Sequence, residues 1–299
     1  MVSHKRMFKI NKMKNINIDF NRYEKAILEM RKRPEYADLV KWAYFDEDIV
    51  KAAVRFSKSY EAAQIIWQID KLLGVKNSRE RRNFRVVDVG GGRGIVSYVF
   101  SLLGYQTTLL DINESNICGT GAAKELFEKS KMDIKIIKAD IERYKEKNGQ
   151  YDVVFCRQVL HHASDLHQMV AMMANLIKPG GWLHAFKEHV IRIKKDLPVF
   201  LKNHPSREFN VYENAFTRSV YLDTLKKAGL KNIRCWIAGY APEPRDFQSM
   251  IEGENVPAHI PPKGLIALLK RKIRFYWFPP GTEFSFIGRK PYSKYEGIF

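Results

Sequence analysis

The sequence predicts an α/β protein in which helices cover both faces of a mostly parallel sheet. Three observations carry that prediction. From Phe84 to Glu188, short β-branched runs alternate with stretches whose apolar residues recur at helical spacing, the pattern of parallel strands joined by right-handed crossovers. Residues 14–80, by contrast, hold few glycines and read as helix throughout. Between the two, "VVDVGGGRG" (Val86 to Gly94) concentrates glycine directly behind the first apolar run. Glycine weakens strands and helices alike, so the stretch is either a loop that brings its backbone against a ligand or a bare tight turn.

The elements follow in order. "NRYEKAILEMRKR" puts Tyr23, Ile27 and Met30 on one side of a helix that Pro34 ends. "DEDIVKAAVRF" and "SYEAAQIIWQIDKLLG" are two more helices, the second closed by Gly74. "FRVVDV" is the first strand, and "IVSYVFSLLG" is a helix ending at Gly104. "QTTLLD" is the second strand, and "ESNICGTGAAKELFEKS" a helix weakened by Gly119 and Gly121. "DIKIIKAD" and "YDVVFCRQ" are further strands, a helix covers "DLHQMVAMMANLIKPGG", and "WLHAFKE" is the fifth strand. After the amphipathic helix "TRSVYLDTLKKAGL", the runs "KNIRCWIA" and "EFSFIGRK" complete a seven-stranded sheet. A proline-rich stretch of roughly 40 residues separates those two runs, longer than a plain connection needs, so it is expected to be functional.

A chain of 299 residues, 45% of them hydrophobic, buries a substantial core and excludes disorder except at its ends. Cys118, Cys156 and Cys235 are far apart and form no CxxC pair, which argues against a disulfide framework or a zinc site and for a reducing compartment. No apolar run reaches the ~18 residues of a membrane span. The basic start "MVSHKRMFKINKMKN" lacks the apolar core of a secretory signal, so a cytoplasmic protein is expected. The net charge of +18 favours an anionic partner (nucleic acid, membrane surface or acidic small molecule), unless it reflects only lysine scattered along the whole chain.

The glycine loop follows a strand and opens a helix, whose unpaired N–H groups suit a carboxylate or phosphate. The dinucleotide fingerprint G-x-G-x-x-G fails, because its third glycine falls on Ile95 or Ser97, and no Gly-Lys-Ser/Thr follows to make a Walker A loop. What stands is Asp88, Gly90, Gly92 and Gly94 at alternate positions, with Gly91 between them. This resembles the first motif of the class I S-adenosylmethionine-dependent methyltransferases. The order of the rest agrees: Asp111 ends the second strand, "IKADIE" the third, "YDVVFCRQVLHHASD" is similar to the fourth-strand motif of the small-molecule, methyltransferase-11-like branch, and "LIKPGGWL" matches the turn before the fifth. The resemblance covers residues 84–190 and implies a Rossmann-like seven-stranded sheet, S-adenosyl-L-methionine as cofactor and methyl transfer as the reaction.

It also implies roles. Asp88, Gly90, Gly91, Gly92 and Gly94 form the cofactor loop; Asp111 and Ile112 meet the ribose; Asp140 and Ile141 meet the adenine. Cys156, Arg157 and Gln158, at the fourth strand end, line the methionine end or the acceptor. His161 and His162 are the candidate general bases, with near-neutral intrinsic pKa, and each is alternatively a packed ring. Glu188, a third catalytic candidate, and His189 form a second polar cluster or a solvated strand exit. Arg55 reaches the methionine carboxylate from the leader or is a surface arginine. Asp88 is expected to fix the loop backbone and to meet the cofactor's ammonium through water. His161, His162, Asp165 and His167 do not converge on a helix and no thiolate or acidic cluster completes a shell, so no metal is expected.

The expected organisation is a basic tail and helical cap over 1–80 and a methyltransferase domain over 81–299, with its core at 84–190, an acceptor-shaping region at 190–282 and a last strand at 283–290. Cys156-Arg157-Gln158 is unlike the Asn/Asp-Pro-Pro-aromatic tetrad used on base amino groups, which argues against a nucleic-acid amine acceptor. Wound as a helix, "PPKGLIALLKRKIRFYWFPPG" sets Leu265, Ile266, Leu269, Ile273 and Tyr276 opposite Lys263, Lys270, Arg271 and Arg274, with Trp277 and Phe278 following. Residues 263–278 are then either an interfacial helix on anionic lipid, placing the protein peripherally on the inner face of the membrane, or a helix packed on the protein's own core. The expected reaction is methyl transfer to oxygen or carbon of a small or lipid-linked acceptor, such as a quinone precursor or carrier-bound glycan. The rivals are an RNA or protein methyltransferase and a non-catalytic S-adenosylmethionine-binding protein.

Overall fold

The computed structural model describes residues 19–145, 149–238 and 265–292. The basic N-terminal tail, Lys263 and most of the proline-rich stretch lie outside the described residues. The leader forms α1 (Phe20–Lys32), α2 (Ala37–Trp42), α3 (Ile49–Ser57) and α4 (Tyr60–Leu73). Polar caps start three of them: Asp19, Asp48 and Ser59 each accept the N–H three residues on, at 3.0, 3.0 and 3.1 Å. Gly74, at φ 70°, closes α4.

Strands and helices then alternate: β1 (Arg85–Val89), α5 (Ile95–Leu102), β2 (Gln106–Asp111), α6 (Thr120–Ser130), β3 (Lys135–Lys138), β4 (Tyr151–Arg157), α7 (Leu166–Leu176) and β5 (Ile177–Ile191). The remainder is α8 (Leu197–Asn203), β6 (Phe216–Thr217), α9 (Arg218–Lys227), β7 (Lys231–Ile237), α10 (Leu265–Tyr276) and β8 (Thr282–Arg289). The sheet order is β3-β2-β1-β4-β5-β8-β7, with β6 paired to β5. Pairing is parallel from β3 to β5 and antiparallel around β8. The chain runs outward from β1 to β3 and then returns to place β4 on the other side of β1. That reversal opens a crevice beyond the ends of β1 and β4, where such sheets bind ligands.

Alternation along β1 divides the core. Val86 faces a layer built from α3, α4, α5 and α6, and Val87 and Val89 face α7 and α9. The helices α3 and α4 thus share the main core: Phe56, Ile65 and Ile69 pack with Phe100, Phe155 and Phe186. Only α1 and α2 sit apart, with Ala26, Ile27 and Met30 closing on Cys118 and, more loosely, on Phe209 and Val211.

Three boundaries differ from the sequence reading. The helix expected over "DLHQMVAMMANLIKPGG" stops at Leu176, and β5 already begins at Ile177, paired with Tyr151. Pro179 disfavours helix in the residue before it and donates no N–H, so the run continues as strand. α6 begins at Thr120 rather than at Glu114, because the chain at Gly119 passes so close to Asn113 that a Cβ would lie 2.3 Å from its carbonyl oxygen. The sheet also gains a short eighth strand, β6, whose two residues carry no periodic signal.

Candidate active site

The glycine loop lies in the crevice between β1 and β4. Gly90 (φ 67°) and Gly94 (φ 75°) adopt left-handed backbone, and a Cβ on either would strike Val159 at 2.5 Å or Phe127 at 2.6 Å. A Cβ on Gly91 would lie 2.8 Å from Asp88 Oδ2, and one on Gly92 would lie 3.2 Å from the Cys118 carbonyl oxygen. The buried Asp88 accepts the Ser97 O–H at 2.7 Å, tying β1 to α5, and burial pushes its pKa up to about 7. Asp111 accepts the Gly92 N–H at 2.8 Å and the Asn113 N–H at 2.7 Å. Each of its oxygens therefore keeps a second lone pair for a further donor. Burial raises its pKa, against the backbone N–H groups that favour the carboxylate. Ile112 beside it is half exposed. Asp140 accepts the Glu142 N–H at 2.9 Å, and Ile141 is buried in the core.

Beyond β4 several of the side chains given site roles have partners within the protein. The Cys156 thiol is buried, 3.8 Å from Glu188 Oε1, and burial raises its pKa well above the usual thiol value. Arg157 turns to Glu61 of α4 at 2.5 Å, Lys187 joins the same carboxylate at 2.8 Å, and Gln158 donates to Glu283 at 3.0 Å. Although burial opposes it, the two cations hold the Glu61 pKa down to about 2. Arg55 is likewise held within the leader, by Asp46 at 2.9 Å and the Lys41 carbonyl at 2.9 Å. The structure thus binds each of these three side chains to the protein's own acceptors rather than leaving it open for a ligand.

The densest polar group forms where β4 and β5 end. The pairing of β5 with β8 shifts register between Ala185 and Glu188, and Lys187 stands at φ 58°. A bulge of this kind re-aims the residues after it, and Glu188 is fully buried. Its carboxylate accepts the Val159 N–H at 3.1 Å, the His161 N–H at 3.2 Å and His161 Nδ1 at 2.7 Å. Burial raises the Glu188 pKa, against the backbone N–H groups that favour the carboxylate; to the ionised carboxylate His161 donates Nδ1–H, which leaves a lone pair on Nε2. That nitrogen faces Glu213 Oε1 at 3.4 Å. His162 Nδ1 lies 4.0 Å from the same oxygen, and His204 Nε2 lies 3.8 Å from Glu213 Oε2. The His189 ring is 4.5 Å from that of His161 and 5.3 Å from that of His204.

Burial holds His161 and His162 well below the near-neutral value expected of them, with neighbouring histidine charge adding to the effect. Glu213 moves the other way, pushed up to about 7 by burial and then by Glu188. Sequence reasoning missed Glu213 and His204, which lie in an irregular segment after β5. It also missed Tyr23, whose partly buried phenol in α1 lies within electrostatic reach of both Asp111 and Glu213.

The raised Glu213 pKa has a consequence for stability. Its carboxyl stabilises the fold fully below the unfolded value near 4.5, and that contribution is lost as pH rises through about 7. Urea unfolding with a chelator present should show wild type losing on the order of 3 kcal/mol relative to Glu213→Gln between acid and pH 8. Parallel pH profiles for the two proteins would refute the shift.

Residues 87–185 match the model of a methyltransferase domain. The chain carries a class I methyltransferase domain. S-adenosylmethionine is the cofactor of this domain class, and Asp111, which keeps a lone pair on each carboxylate oxygen beside the glycine loop, fits such a ligand. The ubiquinone biosynthesis O-methyltransferase of Bordetella bronchiseptica is 37% identical over 99 residues, 33% of this chain and 40% of that protein. Its counterpart in Burkholderia thailandensis is 36% identical over 99 residues, covering 33% and 42%. The match therefore spans less than half the length of these relatives and falls on the methyltransferase domain. The geranyl diphosphate C-methyltransferase of Streptomyces coelicolor A3(2) aligns with TM-score 0.53 at 14% identity, covering 82% of this chain and 85% of its own. The plantazolicin methyltransferase BpumL aligns with TM-score 0.52 at 14% identity, covering 90% and 96%. These likenesses show the fold of the methyltransferase domain.

Proposed function

We propose that this chain transfers a methyl group from S-adenosylmethionine to an oxygen or carbon atom of a small-molecule acceptor bound beside Glu213 and its histidines. One observation carries the reading: Val159 packs on Gly90 while its N–H donates to Glu188, so the cofactor loop and the buried histidine–glutamate cluster are a single residue apart. When bound, the cofactor supplies a methyl group on a positively charged sulfur. The chain's own part is to hold and orient. The Gly90–Gly94 backbone and Asp111 hold the methionine and ribose, with Asp88 fixing the loop through Ser97. Ile112, Asp140 and Ile141 border the adenine. Glu213 takes the acceptor's proton, because a carboxylate near pKa 7 is matched to that task at neutral pH. His161 and His162 orient the acceptor, and Glu188 holds His161.

The names of the curated relatives favour oxygen as the methylated atom and a quinone precursor as the kind of acceptor. The surface of α10 supports a lipid-linked acceptor. Leu269, Ile273, Tyr276 and Trp277 are 58%, 53%, 56% and 72% exposed, while Phe278 is buried and Phe275 packs beside it on Phe284. Exposed apolar residues beside the exposed Lys270 suit an anionic bilayer surface. No helix among the described residues is long and apolar enough to cross a membrane. The protein should float with anionic vesicles, and Leu269→Glu/Ile273→Glu should stay at the bottom of the gradient. Equal flotation with neutral vesicles would remove the anionic surface from the reading.

Labelled methyl transfer into fractionated cell extract tests the reaction. Label is expected in the lipid or small-molecule fraction. Label in RNA or protein would overturn the acceptor class, and cofactor binding with no label in any fraction would make the chain a non-catalytic binding protein.

A further inference from the structure

We propose that Glu213, with His161, His162, His189 and His204, binds one late first-row transition-metal dication, of which zinc(II) is the representative. The donor atoms already converge. Ligand atoms of His161, His162 and Glu213 lie within 4.8 Å of one another, as do those of His189, His204 and Glu213, so one carboxylate joins both groups. A tetrahedral shell with ~2.1 Å bonds has its ligands ~3.4 Å apart. Glu213 Oε1 stands 3.4 Å from His161 Nε2 and 4.0 Å from His162 Nδ1, and Glu213 Oε2 stands 3.8 Å from His204 Nε2. The two trios share only Glu213, so an ion held by one trio draws the histidines of the other toward it.

The surroundings are built for such an ion. The Glu188 carboxylate on His161 Nδ1, at 2.7 Å, is the outer-sphere contact that sets a metal-binding histidine's tautomer and turns its Nε2 lone pair inward. Ser206 donates its N–H to His204 Nδ1 at 3.2 Å and holds its hydroxyl 2.8 Å away, which puts the neutral ring's proton on Nε2, toward Glu213, so His204 gives up that proton to bind a cation. His189 is 8% exposed, and its Nδ1 has no hydrogen-bond partner among the described residues. A buried nitrogen left without a partner is costly unless a ligand takes its lone pair. The lone pair of His161 Nε2 facing a carboxylate oxygen is a repulsive contact until a proton or cation stands between them. Four imidazoles and one carboxylate suit zinc-like ions over magnesium or calcium, which favour all-oxygen shells.

The site stands on these contacts alone, and its role rests on the methyl transfer proposed above: with a dication bound, Glu213 is a ligand and no longer the proton acceptor, and the ion instead lowers the pKa of an acceptor hydroxyl beside it. The test uses the full chain, stripped with a chelator and titrated with cobalt(II), read by visible d–d absorption, then challenged with zinc(II). One cobalt per chain with a low-coordinate nitrogen/oxygen spectrum, displaced by zinc, is expected. Glu213→Gln should weaken binding beyond the ~100-fold upper end of outer-sphere mutations, and His204→Ala by at least ~10-fold, both with unchanged circular dichroism. No uptake by folded wild type, or wild-type affinity in folded Glu213→Gln, would overturn the proposal. If that variant fails to fold, wild-type affinity in His204→Ala does the same. S-adenosylmethionine calorimetry on the same samples separates the two readings. Cobalt binding without cofactor binding would refute methyl transfer and keep the metal site, and the reverse would refute the site.

Discussion

Asp111→Ala is expected to weaken S-adenosylmethionine binding at least ~100-fold in calorimetry. The side chain does two things that alanine cannot do. It clamps the glycine loop to the end of β2 by accepting the Gly92 N–H at 2.8 Å, and it accepts the Asn113 N–H at 2.7 Å. Hydrogen bonds to a charged group are worth ~1.5–3 kcal/mol each, and every ~1.4 kcal/mol is tenfold in affinity. Losing the loop clamp and the remaining lone pairs offered to a ribose accounts for the expected loss without any change in the core. Asp111→Asn keeps one oxygen and should fall between. The assay is calorimetric titration with cofactor, paired with urea unfolding. Unaltered cofactor affinity in a folded Asp111→Ala protein would remove the ribose role and with it the cofactor reading of the crevice.

Asp111 also shows why part of the site was legible in the sequence. The residues around the loop sit at strand ends, and strand ends are marked locally: an apolar run, then glycine or a carboxylate. The parallel sheet from β1 to β5 is therefore legible from the sequence pattern, while the order Asp88, Gly90–Gly94, Asp111 and Asp140 takes its meaning from the family resemblance. The other half depends on contacts that spacing does not encode. His204 and Glu213 come from a segment without periodicity, and they reach His161 only because β5 runs on past its bulge and the chain folds back over the end of the sheet. The expectation of no metal rests on His161, His162, Asp165 and His167, neighbours in sequence. The structure instead groups His161 and His162 with residues up to 52 positions away, Glu213 being the farthest from His161. Arg55, Arg157 and Gln158 look like open ligand-binding groups in a sequence, because the acceptors that engage them, Asp46, Glu61 and Glu283, are identified only by the fold.

Glu188→Ala should be the most destabilising single change in the site, by about 3–5 kcal/mol, because it strips a buried carboxylate from three donors at once. Val159 N–H, His161 N–H and His161 Nδ1–H would each lose their acceptor inside a fully buried space. Glu188→Gln is the sharper probe, since its volume is nearly the same. Its amide keeps one acceptor oxygen and gains an NH2, so with the NH2 turned toward His161 one amide N–H pairs with the ring only if Nδ1 gives up its proton. The imidazole proton then moves to Nε2 and points at Glu213, which favours the ionised Glu213 carboxylate. Methyl transfer should fall ~10–100-fold, the range found when a group orienting an active-site histidine is changed, while cofactor affinity stays at wild type. Nitrogen-15 NMR of the His161 ring reads the tautomer directly and distinguishes positioning from plain structural support. Retention of the Nδ1–H tautomer in Glu188→Gln, with activity lost all the same, would mean that Glu188 supports the fold of the 159–161 turn and does not set the histidine's proton.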